Sequence, residues 1–285
     1  MDFELYMQKT DMCKEGRATF YEVHKKLSEP WFENIMDEAY AAYDEGDEKF
    51  EEFLTKISGK LDVSVEFLTL YFYVRISERT YLTYKKLGIC DDIFYSSMDD
   101  FEISSRLGFD RIGIYGVPRS PDRPWQRLIL ENKIYRLGRL QFELYESPVD
   151  AEIDGHNVKV GDTVINVHIP AFAPLREEDC EAAYALARDF FKKYHGIDAC
   201  IFYCDSWLLH PWLSEELPES SGIVCFQKKY KLLKTEESPK STLLYVFAKE
   251  YDNISDYPED TKLRRLVKAR LIKGLPLGSG HGIRL

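Results

Sequence analysis

The sequence predicts a mixed α/β protein, with a helical N-terminal part followed by a mixed β-sheet flanked by helices. Three observations carry that prediction. Apolar residues recur at helical spacing through the first hundred positions; two-residue alternation replaces it after Trp125; and between Asp162 and Ser206 a strand, a helix and a second strand follow one another. A strand–helix–strand run closes as a right-handed crossover with parallel strands, whereas the hairpins before it are antiparallel, so the sheet is mixed. At 285 residues the length favours two domains, and the change of texture places them at 1–124, helical with a linker, and 125–285.

Taken in order, ATFYEVHKKLSEPWFENIMDEAYAAYDEG sets Phe20, Val23 and Leu27, then Trp31, Ile35 and Ala39, at helical spacing, with breaks at Pro30 and Gly46. DEKFEEFLTKISGKL and VSVEFLTLYFYVRISERTYLTYKKLG continue the pattern to Gly88. Acids crowd between Asp37 and Glu52, as on a solvated helical face. MDDFEISSRLGFDRIGIYGVPRSPDRPW is rich in Gly and Pro and reads as a linker with at most short elements. In YRLGRLQFELYE, Leu140, Phe142 and Leu144 fall on one face, and Arg139, Gln141 and Glu143 on the other. AEIDGHNVKVGD holds two turn signals around a short strand. TVINVHIP follows as a strand, then the helix EDCEAAYALARDFFKKYHG, the strand ACIFYCDSWLL, a mixed segment to Tyr230, the strand TLLYVFAKE and the helix TKLRRLVKARLIKG. The tail LPLGSGHGIRL is expected to turn near that last helix.

Composition narrows the partners. Hydrophobic residues make up 45% and aromatics 14%, enough for a large core, and the net charge of -11 repels nucleic acid and anionic lipid. The N-terminus lacks a basic region followed by an apolar one, and no run approaches the roughly 20 apolar residues of a membrane helix. Six cysteines without a CxxC pair fit a reduced cytoplasmic setting, and Cys200 and Cys204, four apart in an apolar strand, read as buried thiols and not as a metal pair.

Period two places Ile165, Val167 and Ile169 on one side of TVINVHIP, and Asn166 and His168 on the other. With a shared core face, Gln141, Glu143, Asn166 and His168 line the same opposite surface. That surface reads either as an open wet sheet face or as a site. His168 is the sharpest candidate, because a neutral imidazole can take a proton from an amine or alcohol at working pH. Asp205 lies where a parallel strand ends, the usual position for a ligand. Ser206 has no GxSxG elbow, which leaves a serine hydrolase weakly supported, and Cys204 is weaker still as a nucleophile. The loop AFAPLREED precedes a helix N-terminus, but Glu177, Glu178 and Asp179 already occupy its positive end. The basic helix TKLRRLVKARLIKG reads either as a solvated counterweight to the acidic half or as a grip for an anionic ligand.

Together RLGRLQFE, VHIP, the ARDFF helix, CDSWLL and the T-x-L-x-R helix ending in GSGHG resemble bacterial two-domain acyltransferase-like proteins. These join a helical N-acyltransferase N-terminal domain to a GNAT-like C-terminal domain. The resemblance implies acyl transfer from acetyl-CoA or another acyl-CoA to an amine of a small-molecule acceptor. It makes TVINVHIP the strand that pairs with pantetheine, through Val167 and Ile169. Ala171, Phe172, Ala173 and Leu175 become the pyrophosphate loop. His168 or Glu143 is then the general base, Asp205 stands where relatives tend to carry histidine, and Ser206 or Tyr230 protonates the leaving thiolate. A non-catalytic binding protein that keeps the fold is the alternative.

Overall fold

The computed structural model describes residues 3–10, 12–119 and 121–285, which divide into two compact units, Met1–Tyr135 and Arg136–Leu285. The first unit is helical: α1 (Phe3–Lys9), α2 (Lys14–Leu27), α3 (Ile35–Glu45), α4 (Asp47–Leu61), α5 (Val65–Leu87), α6 (Asp91–Met98), α7 (Asp100–Ile112) and α8 (Asp122–Leu130). Helix α5 is its axis. Ser64 caps its start by accepting from the Phe67 amide at 3.2 Å, and Gly88, with φ 70°, ends it in the left-handed conformation. Between Phe67 and Ile76 it buries residues on every side, as expected for a helix wrapped by others.

The expected linker is helical instead. Its glycines and prolines punctuate helices rather than dissolve them: Gly113, at φ 73°, terminates α7, and Gly108 lies against Pro118. Polar side chains hold α7 to α8, with Gln126 Nε2 donating to Asp100 Oδ2 at 2.7 Å and to Ser104 Oγ at 2.6 Å, and Trp125 Nε1 donating to Asp100 Oδ2 at 2.8 Å. Buried Asp100, Ser104 and Gln126 take positions on this helix pair where a sequence pattern looks for apolar residues. Helix α8 also covers positions 125–130, where alternation was expected to have begun.

The second unit carries β1 (Ile134–Leu137), β2 (Leu140–Glu146), β3 (Ala151–Ile153), β4 (His156–Val158), β5 (Thr163–His168), α9 (Glu177–His195), β6 (Phe202–Ser206), α10 (Trp212–Glu216), α11 (Gly222–Gln227), β7 (Lys231–Glu237), α12 (Lys240–Phe247), α13 (Lys262–Ile272) and β8 (Gly278–Arg284). Six strands form a mixed sheet in the order β1-β2-β5-β6-β8-β7, and β3 and β4 form a separate hairpin. As expected, β5 and β6 are parallel and joined by α9, while β2 pairs antiparallel with β5. One face of the sheet takes Tyr184 of α9 against Phe142 and Phe202, with centroids 5.8 and 4.9 Å away. Part of the other face takes the β3–β4 hairpin, through Ile153 and Val158 packed with Val164, Tyr203 and Ile283.

Two expected elements change here. TLLYVFAKE is α12, not a strand; Thr242, Leu243, Val246 and Phe247 are buried at helical spacing, and Ala248 closes the helix at φ 66°. The strand of that region is KLLKTEE, largely exposed at the sheet edge and so without an apolar alternation. The tail is not a turn but β8, inserted between β6 and β7. Its glycines are needed because neighbouring backbone presses on the strand: a Cβ at Gly278 would meet the Glu236 carbonyl oxygen at 2.2 Å, and one at Gly280 the Leu209 carbonyl oxygen at 2.6 Å.

The basic helix α13 spends its cations on structure. Lys268 Nζ donates to the carbonyls of Ser255 and Tyr257 at 2.9 and 2.8 Å, and Arg264 Nε donates to that of Val246 at 2.9 Å. Arg284 in β8 makes a paired contact with Glu181 in α9, both oxygens at 3.0 Å. This hydrogen-bonded guanidinium holds the Glu181 carboxyl below its usual 4.5. A depressed folded pKa gives stability that is present above the unfolded value and lost as pH falls through the folded one. Acid unfolding followed by circular dichroism is therefore expected to show a smaller loss below about pH 4.5 in Arg284→Met than in the wild type.

Candidate functional site

The antiparallel register sets Gln141 opposite His168 and Glu143 opposite Asn166, so all four stand on one sheet face. The parallel register then sets Asn166 beside Tyr203, and the β6–β8 register sets Asp205 beside His281. Alternation therefore carries one polar surface across four strands, on the side away from α9. Two hydrogen-bonded groups lie on it.

In the first group Glu143 Oε1 accepts from Asn166 Nδ2 at 2.8 Å and lies 3.0 Å from His168 Nε2. Asn166 Nδ2 is 3.2 Å from the same imidazole nitrogen. With the proton on Nε2, the imidazole and the Asn166 amide both donate to Glu143 Oε1, and the imidazole lone pair lies on Nδ1. The carboxylate is mostly buried, and the imidazole is the more open of the two, at 24% side-chain exposure against 12%. A carboxylate so placed orients the imidazole, and an imidazole held this way is chemically able to accept a proton.

The second group was not found in the sequence. Tyr203 Oη lies 2.5 Å from His281 Nδ1, and His281 Nε2 faces Glu236 Oε1 at 3.3 Å and Asp205 Oδ1 at 3.7 Å. His281 is only 6% exposed, and its Nε2 has no hydrogen-bond partner. Burial raises the Tyr203 hydroxyl well above its usual range, so it stays protonated and donates to His281. The available signal was the histidine inside GSGHG, obscured because a glycine-rich tail reads as a turn.

Other candidates stand apart from this surface. Tyr230 is buried on the α9 side, hydrogen-bonded to Tyr184 Oη and packed over Gly282. Ser206 accepts from the Leu208 amide at 3.2 Å and caps the short turn after β6. Cys204 is buried on the Tyr230 side, and burial pushes its thiol up, away from nucleophilic behaviour.

The β5–β6 ladder registers only Ile165 with Phe202 and Asn166 with Tyr203. Beyond it Val167 and His168 pair with β2, while Cys204 to Ser206 pair with β8, so the two parallel strands part at their C-terminal ends. The loop that follows β5 is built. Arg139 Nε and Nη2 donate to the carbonyls of Pro174 and Ala173, both at 2.9 Å, turning those carbonyls inward. Arg139 is 9% exposed, its Nη1 is buried without a hydrogen-bond partner, and burial lowers its pKa. Phe172 takes φ 61° and is exposed, Val167 is buried, and Ile169 and Leu175 pack on the Trp212 cluster. Ala171 and Ala173 are half-buried between them. Gly222 lets α11 close on this loop, since a Cβ there would meet the Leu175 carbonyl oxygen at 2.0 Å. The acids of the α9 first turn are partly neutralised, with Lys229 Nζ 2.7 Å from Glu177.

Among the described residues no helix is long and apolar enough to cross a membrane, and no cluster of His, Cys, Asp and Glu is arranged to hold a metal.

Residues 134–284 match the family of GNAT-like C-terminal domains, and residues 1–131 match the N-acyltransferase N-terminal domain. Two solved structures share the fold. An acyltransferase in complex with CoA and 10C-Teicoplanin aligns at TM-score 0.69 and 18% identity, over 96% of this chain and 88% of the other. An acyltransferase in complex with decanoyl-CoA and teicoplanin aligns at 0.66 and 22%, over 77% of this chain and 66% of the other. No curated protein matches the sequence.

Proposed function

The chain belongs to the proteins that join an N-acyltransferase N-terminal domain to a GNAT-like C-terminal domain, and from that premise we propose that it transfers an acyl group from acyl-CoA to an amine of a small-molecule acceptor. The observation that carries this reading is the parting of β5 and β6 beside the His168–Glu143–Asn166 group. A gap between parallel strands leaves backbone groups for an extended pantetheine arm, and brings its thioester to the polar face. Val167 and Ile169 border that arm. The loop Ala171 to Leu175, braced by Arg139, takes the phosphates, with the buried cation offsetting the acids of α9.

The amine nitrogen attacks the thioester carbonyl, and the carbon–sulfur bond breaks as the amide forms. His168 takes the proton lost by the amine, at Nδ1, and Glu143 stabilises the resulting imidazolium. The thiolate takes a proton and leaves as CoA thiol. Ser206 and Tyr230 stand apart from the polar face, which carries the hydroxyls of Tyr203 and Tyr145; for that step we take Tyr203, because it is hydrogen-bonded to His281, which resupplies its proton. The carboxylates of Asp205 and Glu236 face the other nitrogen of His281, at 3.7 and 3.3 Å.

An equilibrium titration with CoA and acetyl-CoA, followed by a thiol-release assay over a panel of primary amines, tests the reading. Absence of binding at millimolar ligand sinks it. Binding without turnover on any amine makes the protein a binding module instead. Within this reading Tyr203→Phe is expected to lower kcat about tenfold or more with KM little changed, since only proton supply is lost. Arg139→Gln is expected to weaken acyl-CoA binding about tenfold, ~1.4 kcal/mol, measured by calorimetry.

A further inference from the structure

The helical unit contains a cavity of about 470 Å³, within the roughly 300–1,000 Å³ range that holds small molecules. It opens between the end of α2, the turn that follows, the start of α3 and the middle of α5. One wall is apolar: Leu27, Pro30, Phe32, Ile35 and Met36. The other is polar: His24, Tyr71 and Arg75, with His24 Nδ1 2.9 Å from Tyr71 Oη. Tyr71 is packed against Phe20 at 4.7 Å between centroids, and Arg75 lies one helical turn further along α5 on the same side.

Arg75 is the decisive group. Nearly every other arginine that borders a packed surface in this unit is committed: Arg79 and Arg111 to carboxylates, and Arg127 to the Tyr43 carbonyl. The half-buried Arg75 guanidinium makes no hydrogen bond or ion pair among the described residues, although Glu29 and Glu33 line the same cavity. Holding a guanidinium partly out of water without a partner costs free energy that a bound anion would recover. Burial and the Arg75 charge both lower the His24 pKa, so the imidazole adds no second positive charge at neutral pH. One cation, with two rim carboxylates opposing any higher negative charge, selects a monoanion over a phosphate or nucleotide.

We infer that this cavity is a binding site for a small monocarboxylic acid with an apolar body, its carboxylate on Arg75 and its body against Leu27, Phe32, Ile35 and Met36. The site lies wholly within the helical unit and involves none of the residues assigned to acyl transfer. Arg75, five N–H donors in a fork, matches a carboxylate in bidentate fashion, and the apolar wall takes an aryl or alkyl chain.

The test uses the full chain labelled with ¹³C-methyl methionine, because Met36 lines the cavity and its resonance, assigned by Met36→Leu, reports this site alone. Titration with 4-phenylbutyrate is expected to shift the Met36 methyl saturably. Arg75→Gln should weaken that binding at least tenfold, Arg75→Lys should recover part of it, and 4-phenylbutan-1-ol should bind at least tenfold more weakly than the acid. A Met36 resonance that does not move, equal binding by Arg75→Gln, or equal binding of the alcohol would each overturn the inference. If Arg75→Gln does not fold, Ser28→Trp, which fills the cavity from its exposed rim, gives the same decision: lost binding supports the site and undiminished binding removes it.

Discussion

His168→Ala is expected to lower kcat for acyl transfer by about 10²–10⁴, the range that a positioned general base supplies. Acyl-CoA affinity should stay unchanged, because the proposed site holds the acyl-CoA arm through strand backbone and not through the imidazole. The split between kcat and binding is the informative readout, since a lost binding contact would raise KM and leave kcat intact. Glu143→Gln separates the two roles within the group. It keeps the shape and still accepts from Asn166, but withdraws the charge that stabilises the imidazolium at 3.0 Å. A loss smaller than that of His168→Ala is expected there. Steady-state kinetics with thiol detection measure both, and unaltered kcat in His168→Ala would remove the imidazole from the mechanism.

The largest structural effect is expected from removing Gly278 to Leu285. That deletion strips β8 out of the sheet, leaving β7 without a partner and the far edge of β6 unpaired. It also removes His281 and the Arg284 contact with Glu181. A sheet that loses an interior strand exposes two rows of unpaired backbone groups and the apolar surface beneath them. The second unit is expected to lose cooperative unfolding and become protease-sensitive, read by circular dichroism and limited proteolysis. A merely peripheral turn, as the tail reads in sequence, would have been removable with a change of well under about 1 kcal/mol.

The shared polar face was legible because strand periodicity is local. In LQFEL and INVHI the apolar residues alternate, so the face of Gln141, Glu143, Asn166 and His168 follows once the strands are neighbours. The crossover rule made β5 and β6 parallel before any coordinates. The second group was not legible, since Tyr203 and His281 are separated by 78 positions and meet only through the β6–β8 register. KLLKTEE gave no strand signal because an exposed edge strand buries little. The linker reading failed where α7 and α8 are joined by Gln126, Asp100 and Ser104, since buried polar residues interrupt the apolar spacing that marks a helix.

The amino-acid sequence by itself determined a helical half followed by a mixed sheet, the parallel pair at its centre and the polar face around His168. Those depend on spacings within one element or between consecutive ones. Tertiary structure alone decided that the glycine tail is an interior strand, that His281 joins Tyr203, and that Arg139 braces the loop after β5. Each of these is a contact between segments distant in the chain, whose partner is chosen by packing and not by local propensity.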